Sequence, residues 1–440
     1  VSGALHDPLV GERRLVVMSD IEMGAGGPTD DFAHDAWFAA LLRERVGVDE
    51  RPVDLVFNGD TLDFLKTSVD GGWPRHIDAD VALARLDRIA AAHPLYFETL
   101  RDLLASHRCD RVVFVEGNHD YELIFPEVRQ AIRRLLGQGE RVLFPGTAWR
   151  IGDVHIEHGH QTDVLFATDP DHRFVEIDGR KVLALPWGAV AVIDVTLPLE
   201  PVFYPFDRMR PRGRVLELLP EAKDLLLSTF WRYWTREYLP RAWRRSDPLT
   251  RLSWPMLKEI AYRFGTASTG VSSGAHWQQA LKDNDDVRLV VLGHEHRTEW
   301  WTWSDRKLLR DGCIRDEYHL GRDGVIGRRL PKVWAEARLR DGHVVESALV
   351  EREAPQDRRE AMPERVQDLL PAMRELLARE PESGDDRRQR QAQDAADDAP
   401  LPELEDGAQA DAVRHPARSL QQALRDALLA GRSRRDAEGD

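Results

Sequence analysis

The chain has 440 residues, of which 42% are hydrophobic, and carries a formal net charge of −15. That length suffices for one large domain with insertions, or for two or three domains, with a genuine core. The acidic balance disfavours nonspecific binding to long nucleic acid or to an anionic membrane, leaving only local basic patches.

The N-terminus lacks the basic, apolar and small-residue succession of a secretory signal, so a cytoplasmic protein is expected. Leu15 to Met18 reads as a strand that runs into Ser19-Asp20-Ile21-Glu22. A loop with Gly24, Gly26, Gly27 and Pro28 follows, and Thr29-Asp30-Asp31 predicts a helix cap. Phe32, Trp37, Ala40 and Leu41 give that helix an apolar stripe, and Gly47 ends it. Asp54 to Phe57 predicts a second strand, entering Asn58-Gly59-Asp60-Thr61-Leu62-Asp63. Residues 78–106 predict a helical connection broken near Pro94. Arg111 to Val115 predicts a third strand, entering Gly117-Asn118-His119-Asp120, and 126–137 predicts a helix between Pro126 and Gly137. Val154 to Glu157 leads into His158-Gly159-His160. The strand-helix-strand rhythm implies a largely parallel or mixed layered sheet.

The rhythm breaks between His160 and Asp286, a stretch holding six of the thirteen tryptophans. It is too long for a plain loop. Its most apolar run, Val182 to Leu199, is interrupted by Pro186, Gly188, Asp194 and Pro198. A membrane span needs about 20 predominantly apolar residues, so no transmembrane span is expected. Ala222 to Arg245 predicts a helix with Leu227, Phe230, Trp231, Trp234 and Tyr238 on one side. Two readings stand: a helical cap packing its aromatics inward, or an amphipathic surface that receives an acyl chain or touches lipid peripherally. Arg288 to Leu292 then predicts a strand entering Gly293-His294-Glu295-His296. Strands continue to Val350, with a turn near Ser304-Asp305. Cys109 and Cys313 form no CxxC pair and are expected as free, partly buried thiols. The expected division is a core in two parts, 1–160 and 287–350, a Trp-rich helical insert over 161–286, and a charged tail over 351–440. That tail reads as largely disordered, with short helices at 363–379 and 416–430.

Five apolar strands therefore each end in carboxylate, imidazole or amide. Asp20, Asp60, Asn118, His158, His294 and His296 offer mixed oxygen and nitrogen ligands, which suit Mn, Fe or Zn better than Ca. One bridging carboxylate can serve two cations ~3.5–4 Å apart, and such a pair can hold phosphoryl oxygens and activate a bridging water.

These blocks resemble the calcineurin-like metallophosphoesterase superfamily. Its D-x-H, G-D-x-x-D, G-N-H-D/E, later H and G-H-x-H stand here as Asp20-Ile21-Glu22, Gly59 to Asp63, Gly117 to Asp120, His158, and Gly293 to His296. The resemblance covers about residues 14–160 and 286–350. It implies a layered α/β sandwich with mixed sheets, the helical insert falling between the fourth and fifth metal-ligand motifs. It implies that Asp20 and His296 hold one metal, that Asn118, His158 and His294 hold a second, and that Asp60 bridges. The expected cofactors are two divalent ions, Mn²⁺ first, with Fe, Zn or Mg as alternatives. His119 would then sit beside the phosphate as general acid or electrostatic clamp, held by Asp120 or Asp63. Those two carboxylates otherwise read as loop or helix caps. Asn118 and His160 are candidate substrate contacts, His160 either touching phosphate or bonding nearby loops. Arg297 and Arg315 are phosphate clamps or solvated, paired arginines.

Glu22 departs from the family pattern, which has histidine there. Either it coordinates, favouring a hard ion such as Mn²⁺ or Mg²⁺, or it misses the metal and leaves that half-site weak. The expected activity is hydrolysis of a phosphate ester or anhydride on a small substrate, amphiphilic or nucleotide-bearing. Alternatives are a metal-binding scaffold on a degenerate phosphoesterase fold and a lipid-linked pyrophosphate hydrolase at a membrane surface.

Overall fold

The computed structural model describes residues 7–27, 30–266, 273–283, 286–356 and 362–378. Short, continuous apolar runs build parallel strands when both sheet faces are covered. Here β1 (Glu12–Met18), β2 (Val53–Asn58), β3 (Arg111–Val115) and β4 (Val142–Gly146) lie parallel in that order. Their connections are α1 (Asp35–Val46), the pair α2 (Ala79–Ala92) and α3 (Pro94–Ala105), and α4 (Pro126–Leu136). Pro94 breaks the second connection as expected, and Gly137 closes α4 in the left-handed conformation that favours glycine.

The chain continues through β5 (Ala148–Ile151), β6 (Val154–Glu157), and a small hairpin of β7 (Phe174–Ile177) and β8 (Arg180–Leu183). The region between the fourth and fifth blocks is mainly helical. It holds α5 (Trp187–Ala191), α6 (Glu200–Arg208), the two-residue β9 (Met209–Arg210), α7 (Arg212–Leu218), α8 (Pro220–Tyr233), α9 (Leu239–Arg244), α10 (Trp254–Thr266) and α11 (Ser273–Asp283). Strands return as β10 (Leu289–Leu292), β11 (Thr298–Trp303), β12 (Arg306–Asp311), β13 (Tyr318–Leu320), β14 (Ile326–Arg329), β15 (Lys332–Arg340) and β16 (His343–Arg352), before α12 (Leu370–Ala378).

The first large sheet has the order β16-β15-β1-β2-β3-β4, with β15 antiparallel to β1. The second has the order β11-β12-β10-β6-β5, with β10 parallel to both β6 and β12. One cluster joins them: Leu15, Val17, Val56 and Val113 from the first, with Ile156, Val291 and Leu309 from the second. Each such buried side chain contributes roughly 1.5–3 kcal/mol. The opposite face of the second sheet packs Val290, Leu292 and Leu308 with Leu281 and Trp277 of α11. On the other side, Phe57 of the first sheet meets Tyr96 of α3 edge-on. The fold is thus a layered α/β sandwich with mixed sheets.

Two compact units divide the chain: Val1–Lys223 with Ser272–Met373, and Asp224–Val271 with Arg374–Asp440. Both large sheets belong to the first. The second, where described, is helical, and in it Trp234 stacks on both Phe230 and Tyr238 while Trp243 and Trp254 stay exposed.

One helix start differs from expectation. α1 begins at Asp35, with His34 at its N-cap and no side-chain cap. The Asp30 carboxylate instead accepts from the amides of Gly24, Gly26 and Phe32, so it organises the loop before the helix. Thr29 lies outside the described residues. The helix expected at 363–379 appears as a 3-10 turn, Val366–Leu369, followed by α12. The one at 416–430 lies outside the described residues.

Candidate metal centre

The parallel strands β1, β2 and β3 end on one edge, as do β6 and β10, and backbone bonds lock these ends together. The Gly293 amide donates to the His158 carbonyl at 3.0 Å, and the His294 amide to Asp20 Oδ2 at 3.0 Å. Asp20, Glu22, Asp60, His294 and His296 all adopt positive φ, between 49° and 71°. That conformation is costly for non-glycine residues, and it clusters where function over-determines the backbone. Gly293 is needed for close approach, since a Cβ there would lie 2.6 Å from Ser19 Oγ.

Around Asp60 the side chains converge like ligands. Asp60, His158 and His294 each place a ligand atom within 4.8 Å of the others. His158 Nδ1 donates to the Asn58 carbonyl at 2.8 Å, which fixes the tautomer and leaves the Nε2 lone pair facing the site. That Nε2 stands 3.1 Å from Asp60 Oδ2 without hydrogen-bond geometry. Asn118 Oδ1 is likewise buried without a partner. Orphaned buried polar atoms are costly unless something satisfies them, and a cation satisfies these. This half-site fits a divalent ion.

Around Glu22 the arrangement differs. Asp20 Oδ1 lies 3.1 Å from His296 Nε2, and Glu317 receives the His296 Nδ1 proton at 2.8 Å, as a metal-binding histidine requires. Cys313 joins His296 and Glu317 within 4.8 Å. Glu22, however, does not stand free as the expected metal ligand. Both of its oxygens lie 2.7 Å from Arg315 Nη1, and Lys66 Nζ bonds Oε2. Burial would raise the Glu22 carboxyl, but Arg315 and then Lys66 outweigh it and hold it well below the usual range.

His119 is held by Asp63, not by Asp120. Its Nδ1 lies 2.9 Å from Asp63 Oδ1, and its Nε2 has no protein partner among the described residues. Burial opposes its charge, but Asp63, Asp60 and Glu22 raise it to about 9. The Asp120 carboxylate instead accepts from the amides of Gly117, at 2.6 Å, and Thr61, at 2.9 Å. It is a loop staple, and burial followed by Asp60 pushes it to about 8.

His160 follows a left-handed Gly159 and begins a 3-10 turn. Its ring still comes 5.5 Å from that of His158, fully buried, with neither nitrogen partnered. Arg297 does not join the group: it is exposed and pairs with Glu295. Arg315 proves to be the paired arginine rather than a free clamp.

Several site groups escaped the sequence reading. Lys66 bridges Glu22, Asp31 and Asp63. α6 and β9 deliver Asp207, which pairs with Arg315 at 2.8 Å, Arg208, which pairs with Asp31 at 2.6 Å, and Arg210, which pairs with Glu317. The run Asp207-Arg208-Met209-Arg210 was the available signal. Beside Lys66, a cavity of about 80 Å³ is lined by Val192, Leu197, Phe203 and Tyr204. Among the described residues no single helix is long and apolar enough to cross a membrane. The bent pair Trp187–Leu199 and Val202–Arg208 meets that test only when taken together.

No family model matches the sequence, and no curated protein matches it. Among solved structures, the chain is similar to a conserved uncharacterised protein from Streptococcus pneumoniae, described as a predicted phosphoesterase. Identity is 11%, coverage 78% of this chain and 99% of that one, and TM-score 0.25. It is also similar to Vacuolar Protein Sorting 29 from Cryptosporidium parvum, at 13% identity, 78% and 100% coverage, and TM-score 0.25. A third is phosphopantetheinyl hydrolase from Mycobacterium tuberculosis, at 14% identity, 71% and 90% coverage, and TM-score 0.23. By the order of its strand-end blocks and the sandwich that carries them, the chain resembles the calcineurin-like metallophosphoesterases, with Glu22 in place of the first-motif histidine.

Proposed function

We propose that this protein is a metal-dependent hydrolase of a phosphate ester or anhydride. The carrying observation is the convergence of Asp60, His158 and His294, with His158 Nε2 buried and unpartnered, and with Asn118 Oδ1 also buried and unpartnered on the loop whose next amide, that of His119, bonds Asp60. A divalent ion held by those four residues would neutralise phosphoryl oxygens and acidify water; Mn²⁺ suits the oxygen and nitrogen donors.

The chain's own residues supply the rest. Asp63 orients the His119 ring through Nδ1, so Nε2 is the nitrogen left to donate a proton to the departing oxygen. The His119 amide bonds Asp60 Oδ1 at 2.7 Å, which fixes the distance between the acid and the ion site. His160 sits beside His158, and burial above all holds its imidazole well below the usual range. The cavity beside Lys66, apolar at Val192, Leu197 and Phe203 and charged at Asp31 and Asp207, supports a small amphiphilic substrate, the class expected from the insert.

The test is a Mn²⁺-supplemented panel of aryl phosphomonoester, aryl diester, nucleotide and lipid-pyrophosphate substrates. Turnover of at least one, abolished by chelation, is expected. A folded, metal-loaded protein that turns over none of them contradicts the reading and favours the scaffold alternative.

A further inference from the structure

We infer that the protein binds a single divalent ion, in the Asp60–Asn118–His158–His294 half-site, and that Arg315 and Lys66 occupy by charge the half-site at Glu22. This rests on the hydrolase reading and departs from the two ions the motif order implies.

Three observations carry it. The Glu22–Arg315 pair is buried, each residue 1% exposed, so the guanidinium is not a surface group free to swing away. Its backbone is fixed too, because the Arg315 amide donates to the Asp20 carbonyl at 2.9 Å, tying the clamp to the first metal motif. The wider group is largely paired within the chain. Five cations, Lys66, Arg208, Arg210, Arg212 and Arg315, face the five carboxylates of Glu22, Asp31, Asp63, Asp207 and Glu317.

A dication coordinated by Glu22 would sit within a few ångströms of two fixed cations in a low-dielectric pocket, where repulsion is least screened. Arg315 Nη1 and Lys66 Nζ also hold the Glu22 oxygens in charge-assisted bonds, with which a new ligand bond must compete. The Asp60 half-site has neither obstacle. Among the described residues no lysine or arginine pairs with Asp60, and two neighbouring candidate ligand atoms, His158 Nε2 and Asn118 Oδ1, are buried without partners, whereas around Glu22 only Asp20 Oδ1 is.

The experiment uses the full chain, stripped with chelator and reloaded with Mn²⁺. Metal analysis, calorimetric titration and electron paramagnetic resonance are read on the same samples. About one ion per chain and the six-line spectrum of isolated Mn²⁺ are expected. Two ions, or an exchange-coupled spectrum, overturn the inference and leave the hydrolase reading standing. No ion in folded protein overturns both.

Glu22→Gln, which keeps the side-chain shape, provides the second arm. It should retain one ion with affinity changed no more than about threefold, since Glu22 is not a ligand. A loss of tenfold or more would show that Glu22 coordinates and would overturn the inference.

Discussion

The two half-sites are built from the same kinds of strand end, yet they solve opposite problems. Around Asp60, the Asn118 amide oxygen and the His158 Nε2 are buried and left without partners, which a cation would satisfy. Around Glu22, the cations are already part of the chain. Ligand types at strand ends therefore do not by themselves specify a metal. The second layer of charges decides whether the ligand atoms remain free.

Breaking the open half should have the largest effect. Asp60→Asn should lose the bound ion and lower turnover about 10³-fold or more, checked by metal analysis and steady-state kinetics on the same sample. His119→Gln should lower kcat by roughly 10²–10³-fold while the ion count stays unchanged. An ion lost along with activity would make His119 a ligand instead.

The clamped half is also held by a structural pin. His93 contacts Asp30 Oδ2 at 2.9 Å and Asp35 at 2.9 Å, and Asp30 organises the loop that presents Asp31 to Lys66 and Arg208. Burial would lower His93, but Asp30 and Asp35 outweigh it and raise it from 6.5 to about 9. A folded-state pKa above the unfolded one gives stability that is fully present below about pH 6.5 and is lost as pH rises through about 9. The shift corresponds to about 3 kcal/mol. Denaturant titrations of wild type and His93→Gln should therefore show a stability gap that narrows by that order between about pH 6 and pH 9.5. A gap independent of pH would mean the imidazole is not charged in the folded protein. The smallest effect is expected at Arg297, where substitution by alanine should change kcat/KM less than about twofold, because its partner is the neighbouring Glu295.

Much of the sandwich was legible because apolar runs and turn residues report local geometry. The apolar run 112–115 and the break at Pro94 need no distant partner to be read. The candidate ligand side chains were legible for a related reason, since each sits where a strand stops. What stayed hidden depends on pairing across the chain. Arg315 meets Glu22 over a separation of 293 residues, and Arg208 meets Asp31 over 177. Nothing local distinguishes these arginines from solvated ones. The cap expected at Asp30 failed for the same reason, because its oxygens are taken by loop amides and by His93. His160 shows the reverse case: a left-handed glycine turns the chain just before it, a feature of the backbone, and the ring nevertheless approaches His158.

The contrast between the halves is tested most directly by anomalous diffraction at the manganese edge, from crystals of the full chain loaded with Mn²⁺. One peak is expected, bounded by Asp60, Asn118, His158 and His294, with Glu22 still held by Arg315. A second peak within coordination distance of Glu22, or no peak at all, would contradict the account.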